Sequence, residues 1–214
     1  MRPLEGITIL DLSRVLACPF ASMILAELGA TVIKVEQPGT GDETRSFEPR
    51  VEGPAGSESG YYMAFNRSKQ PICANLRSPE GQEVIRRLAK DADVVLENFP
   101  VGTLKKYRLD AQTLRDLYPQ LVYVSCTGFG LTGPYAHRKG YDTVFQAMGG
   151  IMSLTGERGG GPVKPGLPVA DLTSGMWVAI AILSALVGRR DNGQGCHVDF
   201  SMLDGQVGLL SLAA

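Results

Sequence analysis

Ile7-Thr-Ile-Leu-Asp-Leu12, a helical stretch from Phe20 to Leu28, Gly29 and Thr31-Val-Ile-Lys-Val-Glu36 follow one another near the start of the chain, and their reading decides the fold. The outer two segments are short apolar runs bounded by turn residues, the pattern of buried strands. Gly29 is placed to stop the helix between them. Together they predict a βαβ unit. The alternation continues downstream. A third strand is expected near Ile72 to Leu76. Ser78-Pro79-Glu80 then opens a helix to about Lys90, with a cap residue, Pro at the first helical position and an acid in the first turn. Val94–Glu97 and Leu121–Ser125 read as further strands, separated by a short helix over Ala111–Leu117. An amphipathic segment (Tyr141–Met148), an apolar helix containing Met176–Val187, a strand over Gly195–Ser201 and an apolar helical run complete the chain. The expectation is an α/β fold with a Rossmann-like, mainly parallel sheet and flanking helices.

Two stretches break the rhythm. Gln37 to Gly60 is dense in Gly, Pro, Ser and Glu, a connection of the length that tends to be functional or mobile; Tyr61–Phe65 and the turn Asn66–Lys69 follow it. Val207-Gly-Leu-Leu-Ser-Leu-Ala-Ala214 is apolar and lacks a polar cap, which suggests a helix that packs against something further on.

The bulk numbers narrow the function. Of 214 residues, 44% are hydrophobic and 20% charged, as in an ordinary globular protein, and the net charge of −1 is spread over interspersed residues. Nothing here points to nucleic acid or an anionic membrane as partner. No apolar run reaches bilayer length on this reading, and no signal peptide is expected. Cys18, Cys73, Cys126 and Cys196 are scattered without zinc-like spacing, so free thiols and a cytoplasmic location are expected. The loop after the first strand lacks Gly-x-Gly-x-x-Gly, and neither Gly39-Thr-Gly-Asp42 nor Gly156–Gly161 carries a P-loop. The sheet topology still suits an adenosine phosphate at strand C-termini, where Arg14, Lys34, Arg67, Lys69, Lys106, Arg138 and Lys139 lie near the expected ends. Each of these taken singly also reads as a solvated surface charge. The two histidines, His137 and His197, have no Gly-x-Ser-x-Gly elbow to serve, and Cys126 reads as a buried apolar residue.

One carboxylate stands out. Gly159-Gly-Gly-Pro-Val-Lys-Pro-Gly-Leu-Pro-Val-Ala-Asp171 is a Gly- and Pro-rich loop that delivers Asp171 to the mouth of an apolar helix. Two readings fit. Asp171 is an N-cap accepting the Ser174 N–H, or it is a nucleophile for acyl transfer, beside helix N–H groups that steady negative charge.

A set of blocks decides between them. Arg14-Val-Leu-Ala-Cys-Pro-Phe20, Gly29–Glu36, Gly41-Asp42, Asn66-Arg-Ser-Lys69, Ala92–Phe99, Gly128-Phe-Gly-Leu-Thr-Gly-Pro134, Gly140-Tyr-Asp142, Ala170-Asp171 and Gly195-Cys-His-Val-Asp199 occur in this order. The whole resembles the N-terminal half of a class III CoA-transferase, the family of formyl-CoA, carnitine and succinate–hydroxymethylglutarate CoA-transferases. The resemblance implies that residues 1–214 are the CoA-binding large domain, with the smaller second domain and the C-terminal return absent. It implies that Asp171 is the nucleophile that becomes an aspartyl-CoA thioester. Val15 and Leu16 fall on positions lining the CoA thiol end, and Lys106, Lys139 and Tyr141 on further CoA-contacting positions. CoA thioester is then a substrate, no cofactor is permanently bound, no metal is needed, and the partners are an acyl-CoA and a carboxylic acid, with a dicarboxylate among the candidates. A homodimer, interlocked in the full-length family, is implied too.

Cys18 replaces the family's usual Gly and is expected to narrow the passage beside the thioester. The related α-methylacyl-CoA racemases carry His where this chain has Tyr141; a phenol titrates too high to replace it, which favours transfer over α-proton exchange. The alternatives are such a racemase-like enzyme and a non-catalytic CoA-binding fragment.

Overall fold

A computed structural model describes residues 2–54 and 56–211. Six strands form the main sheet: β1 (Thr8–Asp11), β2 (Thr31–Glu36), β5 (Gln70–Cys73), β6 (Val94–Glu97), β7 (Val122–Thr127) and β8 (His197–Ser201). They lie in the order β5-β2-β1-β6-β7-β8, and every neighbouring pair is parallel. The expected α/β fold is therefore present. From β1 the chain builds outward through β2 to β5, then returns to the other side of β1 as β6. The β1/β6 pair is thus the topological switch, the place where open parallel sheets bind ligands.

Successive strand residues feed opposite faces. Ile9, Val32, Val94, Leu96, Val122 and Val124 meet α1 (Ala17–Glu27), α6 (Val169–Asn192) and α7 (Met202–Leu209) on one side. Leu10, Val35, Val95 and Tyr123 meet α3 (Pro79–Lys90) and α4 (Ala111–Leu117) on the other. Burial on both faces is why β1, β6 and β7 carry apolar runs.

Several boundaries differ from expectation. Helix α1 begins at Ala17, so Pro19 sits in its first turn, where a missing N–H breaks no intrahelical bond. The third strand of the expectation is β5, which ends at Cys73 and carries Pro71 along the sheet's edge. The long connection holds an antiparallel hairpin, β3 (Arg50–Gly53) and β4 (Gly56–Ser59), followed by α2 (Gly60–Asn66) with Ser59 as its cap. All four residues of β3 are exposed, so no alternation announced it. The connection is anchored by Arg45, whose guanidinium donates to both Glu36 carboxylate oxygens at 2.7 and 2.9 Å. The Tyr62 hydroxyl donates to the same carboxylate at 2.6 Å. The terminal apolar run is helical through Leu209, and its residues from Leu212 on lie outside the described ones.

Helix α6 corrects the bilayer expectation. At 24 residues, with an 18-residue window of mean hydropathy 1.7, it is long and apolar enough, by length and composition, to cross a membrane. Here it packs in the core: Ala170, Ser174, Gly175, Val178, Ala179, Ile182 and Leu186 are buried. Its outer side exposes Met176, Trp177, Ile180 and Val187.

The contact between α1 and α6 has no slack at Gly175. A Cβ there would stand 2.6 Å from the Ala17 carbonyl oxygen and 2.9 Å from Phe20 Cδ1. Gly175→Ala should therefore destabilise the fold by about 1–3 kcal/mol, read as a lower Tm at about 2–4 °C per kcal/mol. On the same helix Gly188 has no atom within 4 Å of such a Cβ. Gly188→Ala should raise Tm, since Ala is the better helix former by about 1 kcal/mol. Equal effects from the two substitutions would refute the close approach.

Candidate active site

At the switch the loop after β1 meets the loop after β6. The Arg14 N–H donates to Asn98 Oδ1 at 2.9 Å, and Asn98 Nδ2 donates back to the Arg14 carbonyl at 2.8 Å. Immediately after this staple Val15 adopts φ +69°. A β-branched residue in the left-handed region is a backbone outlier, costing about 1–3 kcal/mol and found where function holds it. Leu16, buried behind it, accepts the Phe20 N–H at 2.7 Å and starts α1. The leading N–H groups of that helix have no intrahelical partners.

Asp171 lies across from this loop. It is not the N-cap. Helix α6 begins at Val169 with Pro168 in the cap position, so Asp171 is the third helical residue. Its backbone N–H donates to Asp142 Oδ1 at 3.1 Å. Asp142 opens α5 (Asp142–Met148), and its other oxygen accepts from Gln146 Nε2, which also reaches the Leu167 carbonyl at 3.2 Å. The backbone of Asp171 is therefore fixed, while its carboxylate has no hydrogen bond or ion pair among the described residues. Burial, reinforced by the charge of Asp142, pushes its pKa up to about 7. A half-desolvated carboxylate without a cation is chemically available, as a base or as a nucleophile.

The space in front of it is a cavity of about 260 Å³ whose walls include Val15, Leu16, Cys126, Lys139, Tyr141 and Asp171. Five of the six site residues expected from sequence thus converge. Lys106 does not; it is exposed on a single 3₁₀ turn, Leu104–Tyr107. Tyr141 stands at the mouth, 74% exposed. Cys126 is buried as expected, yet it also forms part of the wall. Cys18 is fully buried in the core, and its side chain is not part of the cavity wall. Two of the cations considered for phosphate are unavailable: the side chains of Lys34 and Lys69 are each 1% exposed and pair with Asp42 and Asp11. Arg14 and Arg138 remain at the wall, stacked on Phe99 and Tyr135.

A second cavity, about 530 Å³, runs along the C-terminal ends of β1, β2 and β5 and is lined by Gln37, Pro38, Asn75, Arg77 and Tyr107 among others. Arg14, Phe99 and Pro100 belong to both cavities, which makes them adjoining chambers. Sequence reasoning missed this larger chamber, because only the sheet order brings Pro38, Asn75 and Tyr107 together. Beneath Phe99, Glu97 is buried and accepts the Phe99 N–H at 2.8 Å; burial raises its pKa to about 7.

The model of CoA-transferase family III matches residues 4–214. Succinate–glutarate CoA-transferase of Agrobacterium fabrum is 48% identical over 98% of this chain and 53% of its own length. Succinyl-CoA:glutarate CoA-transferase of Homo sapiens is 44% identical over 99% of this chain and 48% of its own. The crystal structure of a CAIB/BAIF family protein from Brucella suis superposes with a TM-score of 0.95 at 47% identity, covering 98% of this chain and 56% of that one. The chain spans about half the length of the curated relatives it matches.

The raised pKa of Asp171 makes a linkage prediction. Between its ordinary 3.8 and about 7 the folded chain holds a proton that the unfolded chain releases. Stability is therefore lost as pH rises through that window. Asp171→Asn removes the penalty, so it should melt higher than the parent at pH 8, with the gap closing toward pH 4. A gap of constant size across that range would contradict the assignment.

Proposed function

The chain belongs to CoA-transferase family III, and on that premise we propose that it is the CoA-binding large domain of an enzyme that moves CoA from an acyl-CoA to a free carboxylic acid through Asp171. The observation that carries the reading is the uncompensated Asp171 carboxylate at the wall of one chamber, with a larger chamber opening beside it. The larger chamber suits the nucleotide end of CoA, with Arg77 and Arg14 for phosphate. The smaller one suits the thioester.

In the first step an Asp171 oxygen attacks the thioester carbonyl, the C–S bond breaks, and CoA leaves as thiolate with a mixed anhydride behind it. The thiolate then attacks the aspartyl carbonyl, releasing the donor acid as carboxylate and leaving aspartyl-CoA. The acceptor carboxylate reverses both steps. No water and no net proton enter. Burial of Asp171 leaves its ionised form poorly solvated and therefore reactive, and the uncapped start of α1, whose Leu16 and Ala17 line the same cavity, offers N–H donors for developing oxyanion charge. The relatives' names indicate five- and four-carbon dicarboxylates; Arg138 and Lys139 at the wall suit a second carboxylate on donor or acceptor. The enzyme's working state is a cytoplasmic homodimer. Tyr141, exposed at the mouth, is poorly placed to exchange an α-proton, which argues against racemisation.

Incubating the chain with succinyl-CoA and measuring intact mass should reveal a CoA-sized, hydroxylamine-labile adduct, absent from Asp171→Asn. An adduct of equal yield on the variant, or exchange of α-protons with solvent deuterium in place of an adduct, would replace this reading with another. A chain that binds CoA yet forms no adduct with any acyl donor would be a non-catalytic module.

A further inference from the structure

Val15 holds an unfavourable backbone conformation at the cavity wall, and the residues before it show how. Ser13 donates its backbone N–H to Asp11 Oδ1 at 2.9 Å and its hydroxyl to the same oxygen at 2.5 Å. Its carbonyl accepts from Lys34 Nζ at 2.6 Å. At Arg14 both backbone groups are taken by Asn98. Every backbone polar group of the two residues preceding Val15 is thus held by a side chain. Strain of this kind persists only where its surroundings over-determine it.

Lys34 is the cation among these holders. It is 0% exposed, lines neither chamber, and its ammonium has two partners, the Ser13 carbonyl and Asp42 Oδ2 at 2.8 Å. Asp42 in turn accepts the Thr44 N–H and hydroxyl, and its own N–H donates to Glu36. Neighbouring Lys69 bonds Asp11 at 3.3 Å, the Pro19 carbonyl and Asn66 Oδ1 at 2.9 Å. Two buried ammonium groups and two buried carboxylates therefore stand directly behind the strained turn. Such ion pairs give little net stability relative to apolar packing, so their presence asks for another reason.

We propose that Lys34, tethered by Asp42, is a positioning residue: it clamps the Ser13 carbonyl so that Val15 stays left-handed and presents the first turn of α1 to Asp171. The clamp is a property of the fold; its effect on chemistry rests on the acyl-transfer reading above. Without the clamp Val15 relaxes toward negative φ and the wall opposite Asp171 shifts.

The test uses the 214-residue chain with Lys34→Met alone and with Lys34→Met/Asp42→Asn. The single variant strands a buried carboxylate and is expected to lose stability or fail to fold. The double variant removes both charges, so it should recover most of the parent's Tm; because Asp42 also lines the larger chamber, adduct formation is read at saturating succinyl-CoA. Its adduct formation with succinyl-CoA should nevertheless fall tenfold or more, and its crystal structure should show Val15 at negative φ. A structural role alone would track Tm and leave the double variant active. Retention of positive φ at Val15 in the double variant overturns the clamp whatever the rate. Relaxed Val15 with adduct formation within threefold of the parent overturns its importance for chemistry. If the parent itself forms no adduct, the acyl-transfer reading fails, and the Val15 angle still decides the clamp.

Discussion

Parallel pairing throughout the main sheet is the constraint from which the rest follows. Because all six strands point the same way, each delivers its next loop to one edge, and helices must carry the chain back across the faces. Both faces are then buried, and chemistry has only the strand C-termini in which to gather. The reversal at β1 and β6 splits those loops apart. Arg14 and Asn98 bridge the split with two hydrogen bonds, and the chambers open on either side of that bridge.

Much of this was legible. Strands such as Val94–Glu97, buried at every position, leave an uninterrupted apolar signature, and Ser78-Pro79-Glu80 states its helix start in three residues. Asp171 came from resemblance, not from local pattern, since a carboxylate ahead of an apolar helix reads equally as a cap. Its helix started earlier than expected because Val169 and Ala170 continue the turn that Pro168 opens. The hairpin of β3 and β4 was invisible for a physical reason: β3 is exposed at every position and so buries no side that would impose alternation. The left-handed Val15 was equally silent, because valine is among the last residues one would assign to that region. Nor does any local pattern distinguish Lys34 from a solvated lysine; its partners are Ser13, earlier in the chain, and Asp42, later.

The unfavourable features are concentrated. A strained valine, an uncompensated aspartate and four buried charges all lie at the C-terminal edge of the sheet, next to well-packed cores on both faces. Lys69 shows the balance within the cluster: burial and the like charge of Lys34 draw its pKa down to about 8, against the pull of Asp11. The two faces supply the stability that the edge gives up, so edge and core can be altered separately.

Trp177 is the only tryptophan in the chain, and it sits on α6 under two turns beyond Asp171 with 47% of its surface open to solvent. Its indole looks outward with Met176 and Ile180, away from the walls of either chamber. Tryptophan emission, excited selectively over the tyrosines, therefore reports the wetness of the outer side of α6. A blue-shifted emission means that this apolar strip has been covered; a ligand that fills the chambers and moves nothing else leaves the spectrum unchanged. The protein thus carries its own optical label on the surface where its long helix meets water.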